Sequence, residues 1–181
     1  MTKGEYKLNY IILIAARLVS PFLIFVNPLL AVLFMIVFDA FDGLYAARGG
    51  IKSIEYQHID KTLDLVGYTI TFALVILDPR FYIFRELLAL LYAYRLFGFF
   101  VFLKTHQRKL FLLFANFYEN VFILILIGVI VPQLSFLIES PFLVPMFALV
   151  IMLKLIQEYI AHFVTGSVME RYFDVEMKWA K

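Results

Sequence analysis

Apolar runs close to the length of a membrane span are the feature that most limits how this chain can fold. A helix needs about 20 residues to cross the hydrocarbon layer of a bilayer, and about 17 to 25 are tolerated. Six segments meet or approach that length: 9–26, 28–47, 60–78, 81–103, 109–131 and 141–164. Gly, Pro and polar residues fill the breaks between them, as expected of turns. The sequence therefore predicts an all-α, polytopic membrane protein, a six-transmembrane-helix bundle that forms a single domain over residues 1–181.

The composition agrees with this interpretation and excludes several classes of protein. Hydrophobic residues make up 64% of the chain and charged residues only 17%, whereas soluble domains are about half apolar and about a quarter charged. The net charge of +2 is too small to favour a nucleic acid as a partner, and the basic residues are spread along the chain. Because the sequence contains no cysteine, disulfides and Cys-ligated metal ions are excluded.

The positions of Lys and Arg predict the orientation in the bilayer. Positive residues in short loops are retained on the cytoplasmic side of a membrane. With six spans, both termini lie on one side together with most of the basic residues, whereas Arg80 lies in the opposite loops. We therefore expect cytoplasmic termini, on the side that carries Lys3, Lys7, Arg48, Lys52, Lys61, Lys104, Arg108, Lys109, Arg171, Lys178 and Lys181.

Four aspartates lie in the stretch "FDAFDGLYAARGGIKSIEYQHIDKTLDL", between two apolar segments. The uninterrupted apolar run 28–38 has 11 residues and would rise only about 16 Å as a helix. It can cross the membrane only by continuing through Asp39 and Asp42, and the third span is too short unless it begins near Asp60. The spacings of three and four residues, Asp39 to Asp42 and Asp60 to Asp64, place each pair on one face of a helix. We therefore expect both pairs at helix ends in the cytoplasmic half of the membrane.

Carboxylates inside the membrane require a compensating positive charge. Four unpaired carboxylates would repel one another and would be costly to remove from water. Divalent cations with a preference for oxygen are the natural remedy, and four carboxylates can hold two of them about 3.5–4 Å apart. His58 is nearby, but ions of this kind prefer oxygen, so we interpret it as a loop histidine and not as a ligand.

The same stretch resembles the pattern D-x2-D-G-x2-A-R-x8-G-x3-D-x3-D of the class I CDP-alcohol phosphatidyltransferase family. Six residues fall at the positions of that pattern without a gap: Asp39, Asp42, Gly43, Ala46, Asp60 and Asp64. Two positions depart from it. Ala47 stands at the arginine position, with Arg48 one place later, and Tyr56 stands at the second glycine position.

The resemblance implies an enzyme of phospholipid biosynthesis that depends on two divalent ions, Mg²⁺ or Mn²⁺. Its partners would be the lipid bilayer, a CDP-linked lipid donor, a small polar alcohol acceptor and a second copy of the chain in a homodimer. Asp64 would be both a metal ligand and the general base that activates the acceptor. The implied metal ligands are Asp39, Asp42, Asp60 and Asp64, and the implied donor-binding residues are Gly43, Ala46 and Arg48. Because of the two departures, we expect either a shifted cytidine pocket or reduced activity.

Further charged residues lie inside the predicted spans, where such residues usually face the interior of the bundle. Lys154 and Glu158 are four residues apart, so we expect them to pair with each other. We expect Arg17 and Arg95 to lie at the aspartate site, where each could bind a phosphate or balance the charge of the carboxylates. Basic residues near the site weakly favour a phosphorylated acceptor, although the orientation of the chain in the bilayer also explains some of them. The candidates for binding such an acceptor are Arg95, Arg108 and Lys109.

Two other classes of function remain open from the sequence. The departures at Ala47 and Tyr56 are compatible with a catalytically impaired family member that binds metal or nucleotide, or serves as a membrane scaffold. A divalent-cation transporter would need ionisable residues that continue past the bilayer midplane, and the outer half of the predicted spans offers little beyond Arg85 and Glu86. The membrane transferase is therefore the leading prediction.

Overall fold

The computed structural model of the chain describes residues 1–105 and 110–163. Within those ranges it is helical, without a strand, and contains three short 3₁₀ segments in addition to its α-helices. There are seven α-helices in the described ranges: α1 Lys3–Val19, α2 Pro28–Gly49, α3 Ser53–Leu77, α4 Arg85–Thr105, α5 Leu110–Leu113, α6 Phe117–Ile130 and α7 Leu143–Phe163. Four helical segments are long and apolar enough to cross a membrane: Lys3–Phe25, Pro28–Gly49, Pro79–Thr105 and Leu143–Ile160.

The all-helical prediction is confirmed over these residues, but the count of six spans is not. The third predicted span lies in α3, whose first half carries too many charged residues to be a uniformly apolar span. The fifth predicted span, 109–131, is divided into the short α5 and the 14-residue α6. Asn116 explains where α6 begins, because its side chain accepts a hydrogen bond from the backbone N–H of Glu119 and asparagine is a favoured N-cap.

The described residues form two compact units, 1–70 and 71–163. The division falls within α3, whose first part belongs to the first unit and whose last turns belong to the second.

In the first unit, α1 and α2 pack side by side in opposite directions. Lys7 near the start of α1 lies against Gly49 at the end of α2, where an added Cβ would come within 3.3 Å of the Lys7 Cα. Arg17 near the end of α1 meets Asp39 in the middle of α2. The chain leaves α2 through Gly50, whose φ of 73° lies in the left-handed region that glycine adopts without steric cost. This antiparallel register decides which residues of α1 face the aspartates.

The second unit has an aromatic core built on α4 and α6. Phe81, Tyr118 and Phe122 are buried, and the Tyr118 and Phe122 rings stack with centroids 5.9 Å apart. Arg95 donates a hydrogen bond to the Phe114 carbonyl at 3.0 Å, and the Tyr94 hydroxyl donates to the Leu113 carbonyl. These α4 side chains satisfy backbone groups at the break between α5 and α6, which an apolar environment requires.

Gly98 allows α4 to approach this break. A Cβ added at Gly98 would lie 2.8 Å from Phe114 Cγ, which is closer than carbon atoms tolerate. We expect Gly98→Ala to lower the free energy of unfolding by about 1–3 kcal/mol through overpacking, as measured by thermal unfolding in detergent. The control is Gly4→Ala, whose new Cβ would come no closer than 3.9 Å to Thr2 and should cost nothing. Equal unfolding temperatures for the two variants would show that Phe114 yields freely.

Candidate carboxylate site

The four aspartates predicted as a site converge on one side chain, the guanidinium of Arg17. Its Nη2 lies 2.7 Å from an oxygen of Asp39 and 2.7 Å from an oxygen of Asp64. Its Nη1 lies 2.9 Å from Asp60 Oδ1 and also contacts Asp42. The planar guanidinium presents five N–H donors in a fixed fork, so a single arginine binds all four carboxylates.

Two further side chains of α3 extend this network. Lys61 Nζ lies 2.6 Å from Asp60 Oδ2 and 2.9 Å from Asp64 Oδ2. The Tyr56 hydroxyl donates to Asp42 Oδ1 at 2.9 Å, while Arg17 contacts the other oxygen of Asp42. Both oxygens of the deeply buried Asp42 are therefore hydrogen-bonded, as a buried carboxylate requires.

The local sequence explains how three helices reach one point. On α2, the three-residue spacing of Asp39 and Asp42 places both on one face, and on α3 the four-residue spacing of Asp60 and Asp64 does the same. Gly43 and Ala46 are buried on the same face of α2, where the lack of a side chain at Gly43 and the single methyl group of Ala46 allow close packing of a neighbouring helix.

Three of the four carboxylates are largely buried, and the fourth is exposed. The side chain of Asp42 is 1% exposed, that of Asp60 9% and that of Asp64 11%, whereas that of Asp39 is 55% exposed. Asp39 is therefore the carboxylate of the site that is most accessible from outside the protein.

The donor set fits a divalent cation. One carboxylate oxygen each from Asp39, Asp42 and Asp60 lie within 4.8 Å of one another, and hard divalent ions prefer oxygen ligands of this kind. With all four carboxylates ionised, Arg17 and Lys61 compensate two of the four charges, and two negative charges remain in a largely buried place. One divalent cation would balance that remainder. Asp64 lies outside the three-residue set, although it shares its contacts with Arg17 and Lys61 with Asp60.

The residues predicted to bind substrates are distributed more widely. Arg48 donates to the Tyr6 hydroxyl at 3.2 Å, and its guanidinium lies over the Tyr6 ring. Arg95 belongs to the second unit and binds the Phe114 carbonyl. Arg108 and Lys109 lie outside the described residues.

Three other predictions can be compared with the structure. The expected pair forms, with Lys154 Nζ 3.0 Å from Glu158 Oε1. The expectation that Arg17 balances the aspartates is confirmed. The interpretation of His58 as a loop histidine is wrong, because α3 begins at Ser53 and includes it. The capacity of this stretch to form a helix was missed because its polar residues resemble those of a turn.

Two members of the network were not identified as site residues from the sequence. The sequence assigns Lys61 to the orientation of the chain, and its position between Asp60 and Asp64 is the signal that points to the site. The family pattern marks Tyr56 only as a departure. Its spacing of four residues before Asp60 places it on the same helix face and could have indicated the contact.

Comparison of the chain with protein-family models, with curated proteins and with solved structures gives no match. The functional interpretation therefore depends on the geometry of the carboxylate site and on the spacing of its residues.

Proposed function

We propose that this protein is an integral membrane transferase that moves a phosphatidyl or related phospho-alcohol group from a CDP-linked lipid to a small alcohol. CMP is the second product, and the reaction depends on Mg²⁺ or Mn²⁺. The observation that carries the proposal is the convergence of Asp39, Asp42, Asp60 and Asp64, from two different helices, on one partly open site. These are the four carboxylates at the acidic positions of the family pattern.

The negative charge of the site and its oxygen ligands support the binding of divalent metal ions. Asp39, Asp42 and Asp60 would hold one divalent ion, and Asp64 would help to hold the second ion of the proposed pair. Bound divalent cations would neutralise phosphate oxygens and the charge that develops on the departing CMP. The two uncompensated negative charges of the site favour such binding.

Asp64 is the proposed general base, because it is the carboxylate outside the three-residue donor set. It takes the proton of the acceptor hydroxyl, whose oxygen forms a bond to the lipid-linked phosphorus. The bond from that phosphorus to the CMP oxygen breaks, and its electron pair leaves with CMP. Asp64 then releases the proton to water. Arg17 and Lys61 orient the Asp64 carboxylate before the reaction by binding its two oxygens.

Arg17 has a second role in this proposal. When cations and a phosphate-bearing donor enter, the positive charge of the site exceeds what the carboxylates require. The guanidinium can then turn toward the phosphate, which it can bind with two parallel hydrogen bonds. We further propose a cytoplasmic site, cytoplasmic termini and a homodimer, with Arg95, Arg108 and Lys109 as the residues that bind a phosphorylated acceptor.

One observation favours a second candidate, a catalytically impaired relative that binds metal or nucleotide or serves as a scaffold. Arg17 already contacts every carboxylate of the site, and Tyr56 at a glycine position of the pattern is bound to Asp42. Because the Arg17 guanidinium already supplies positive charge to the carboxylates, a bound metal ion has less negative charge to compensate.

The test is CMP release from CDP-diacylglycerol by the purified protein in detergent, with a panel of alcohols and phosphorylated alcohols. We expect CMP release that requires both an acceptor and Mg²⁺ or Mn²⁺ and stops when EDTA is added. If no acceptor produces CMP while Mg²⁺ still raises the unfolding temperature, the transferase proposal is wrong and the second candidate is supported.

A further inference from the structure

Tyr10 carries a buried hydroxyl that the carboxylate network does not use. The residue is 3% exposed. Its oxygen is one of two buried side-chain oxygens, with that of Ser20, that have no hydrogen-bond partner among residues 1–105 and 110–163. A buried hydroxyl without a partner costs free energy, so its retention needs an explanation. A serine hydroxyl within a helix can turn to a backbone carbonyl of the preceding turn, whereas the rigid phenol of Tyr10 cannot.

The helix register places Tyr10 beside the site. Tyr10 precedes Arg17 by seven residues, which is two helical turns, so both side chains lie on the same face of α1 about 10 Å apart along its axis. Because Lys7 lies against Gly49 and Arg17 against Asp39, the antiparallel register puts Tyr10 level with Ala46. That residue is 1% exposed and follows Asp42 and Gly43 on the same face of α2.

Contacts with α3 lead to the same position. The Tyr10 ring is tilted against that of Tyr56, with centroids 6.4 Å apart, and the Tyr56 hydroxyl binds Asp42. The unpartnered donor thus lies at the end of the site nearer the start of α1, among the small residues of α2.

We infer that the Tyr10 hydroxyl donates a hydrogen bond to a phosphate oxygen of a cytidine nucleotide, which makes Tyr10 a binding residue for the CDP-linked donor. This inference rests on the proposed function. Carboxylates in the site already have Arg17, Lys61 and Tyr56 as donors, whereas an incoming phosphate brings oxygens that need new ones. A phenol anchored by its ring supplies such a donor at little cost in side-chain entropy.

The experiment compares the parent protein with Tyr10→Phe, which removes only the hydroxyl. Binding of CMP, cytidine and inorganic phosphate to the protein in detergent with Mg²⁺ is measured by calorimetry. We expect Tyr10→Phe to weaken CMP binding about tenfold or more, the usual effect of losing a hydrogen bond to a charged group. Cytidine binding should change by less than about twofold, because cytidine has no phosphate.

A second measurement separates binding from folding. Tyr118→Phe is the matched control, since the Tyr118 hydroxyl is buried but has a partner in Thr71 at 3.1 Å. We expect Tyr118→Phe to lower the unfolding temperature and to leave CMP binding unchanged. Tyr10→Phe should leave the unfolding temperature of the ligand-free protein unchanged or raise it.

Each result decides the inference. Parent-like CMP binding by Tyr10→Phe would overturn it while leaving the proposed function intact. An equal loss of CMP and cytidine binding would also overturn it, because the hydroxyl would then contact the nucleoside. If the parent protein binds no CMP, both the inference and the proposed function are wrong.

Discussion

Replacing Arg17 by Met should lower the free energy of unfolding by about 3–5 kcal/mol in the presence of EDTA. Removal of one partner from a buried ionic network leaves uncompensated charge, and losses of that size are typical. In this site the loss falls on four carboxylates at once, and among residues 1–105 and 110–163 Lys61 is the one cation that still pairs with them. Methionine keeps the apolar volume of the arginine stem, so the effect reports mainly on the charge. Thermal or detergent-induced unfolding of the purified protein measures it.

The matched control for this variant is Arg80→Met. Arg80 forms an ion pair with Asp78 at 2.6 Å, but its side chain is 56% exposed, and exposed pairs contribute about 0–1 kcal/mol. The Arg80 side chain binds the Asp78 carboxylate and lowers the pKa of Asp78. The two side chains therefore interact, but solvent screens the attraction between their charges. We expect Arg80→Met to unfold like the parent.

Addition of Mg²⁺ or Mn²⁺ extends the Arg17 experiment to the metal. If a divalent cation and the guanidinium compensate the same carboxylates, the cation should stabilise Arg17→Met more than it stabilises the parent. An equal gain in unfolding temperature for both proteins would show that cations bind elsewhere. A loss well below 1 kcal/mol on removal of Arg17 would contradict the network itself.

Asp64→Asn should reduce the rate of CMP release by about 10²–10⁴-fold, the range typical of a lost general base. Asparagine has the size of aspartate and can still occupy the same space, but it cannot take the proton of the acceptor alcohol. The rate is measured at saturating CDP-diacylglycerol, acceptor and Mg²⁺, so that weakened binding does not contribute to it.

The control for this variant is Asp78→Asn, which removes a carboxylate from outside the site and should leave the rate unchanged. CMP binding to Asp64→Asn should also be measured, because the substitution alters contacts with Arg17 and Lys61. If Asp64→Asn binds CMP as the parent does and still produces CMP from CDP-diacylglycerol at the parental rate, Asp64 is not the general base.

These two predictions concern opposite functions of one network. In the proposed mechanism, Arg17 compensates the carboxylates while the site is without ligands, and Asp64 acts as a base once Arg17 and Lys61 release it. A protein that alternates between these two states would not have a network of maximal stability. The exposed side of the site at Asp39 is where we expect ligands to enter and shift that balance.

Much of the site could be predicted because its parts are local. The spacing of three residues between Asp39 and Asp42, and of four between Asp60 and Asp64, is enough to place each pair on one helix face. The apolar runs are enough to predict helices with the length of membrane spans. Asn116 shows the opposite case, because it begins a helix inside a run that looks continuous by hydropathy.

By itself, the sequence determined the helical class, the membrane-like composition and the four carboxylates on two helix faces, because each depends on neighbours within about one helical turn. Only the tertiary structure decided that Arg17 meets all four aspartates and that Tyr56 binds Asp42. The same register leaves the Tyr10 hydroxyl buried beside them. These contacts join residues 14 to 47 positions apart. The contacts of Arg17 with Asp39 and Asp42 follow from the antiparallel register of α1 and α2, and those with Asp60, Asp64 and Tyr56 depend on α3 as well. Both arise from side-chain packing between helices, which no local sequence pattern predicts.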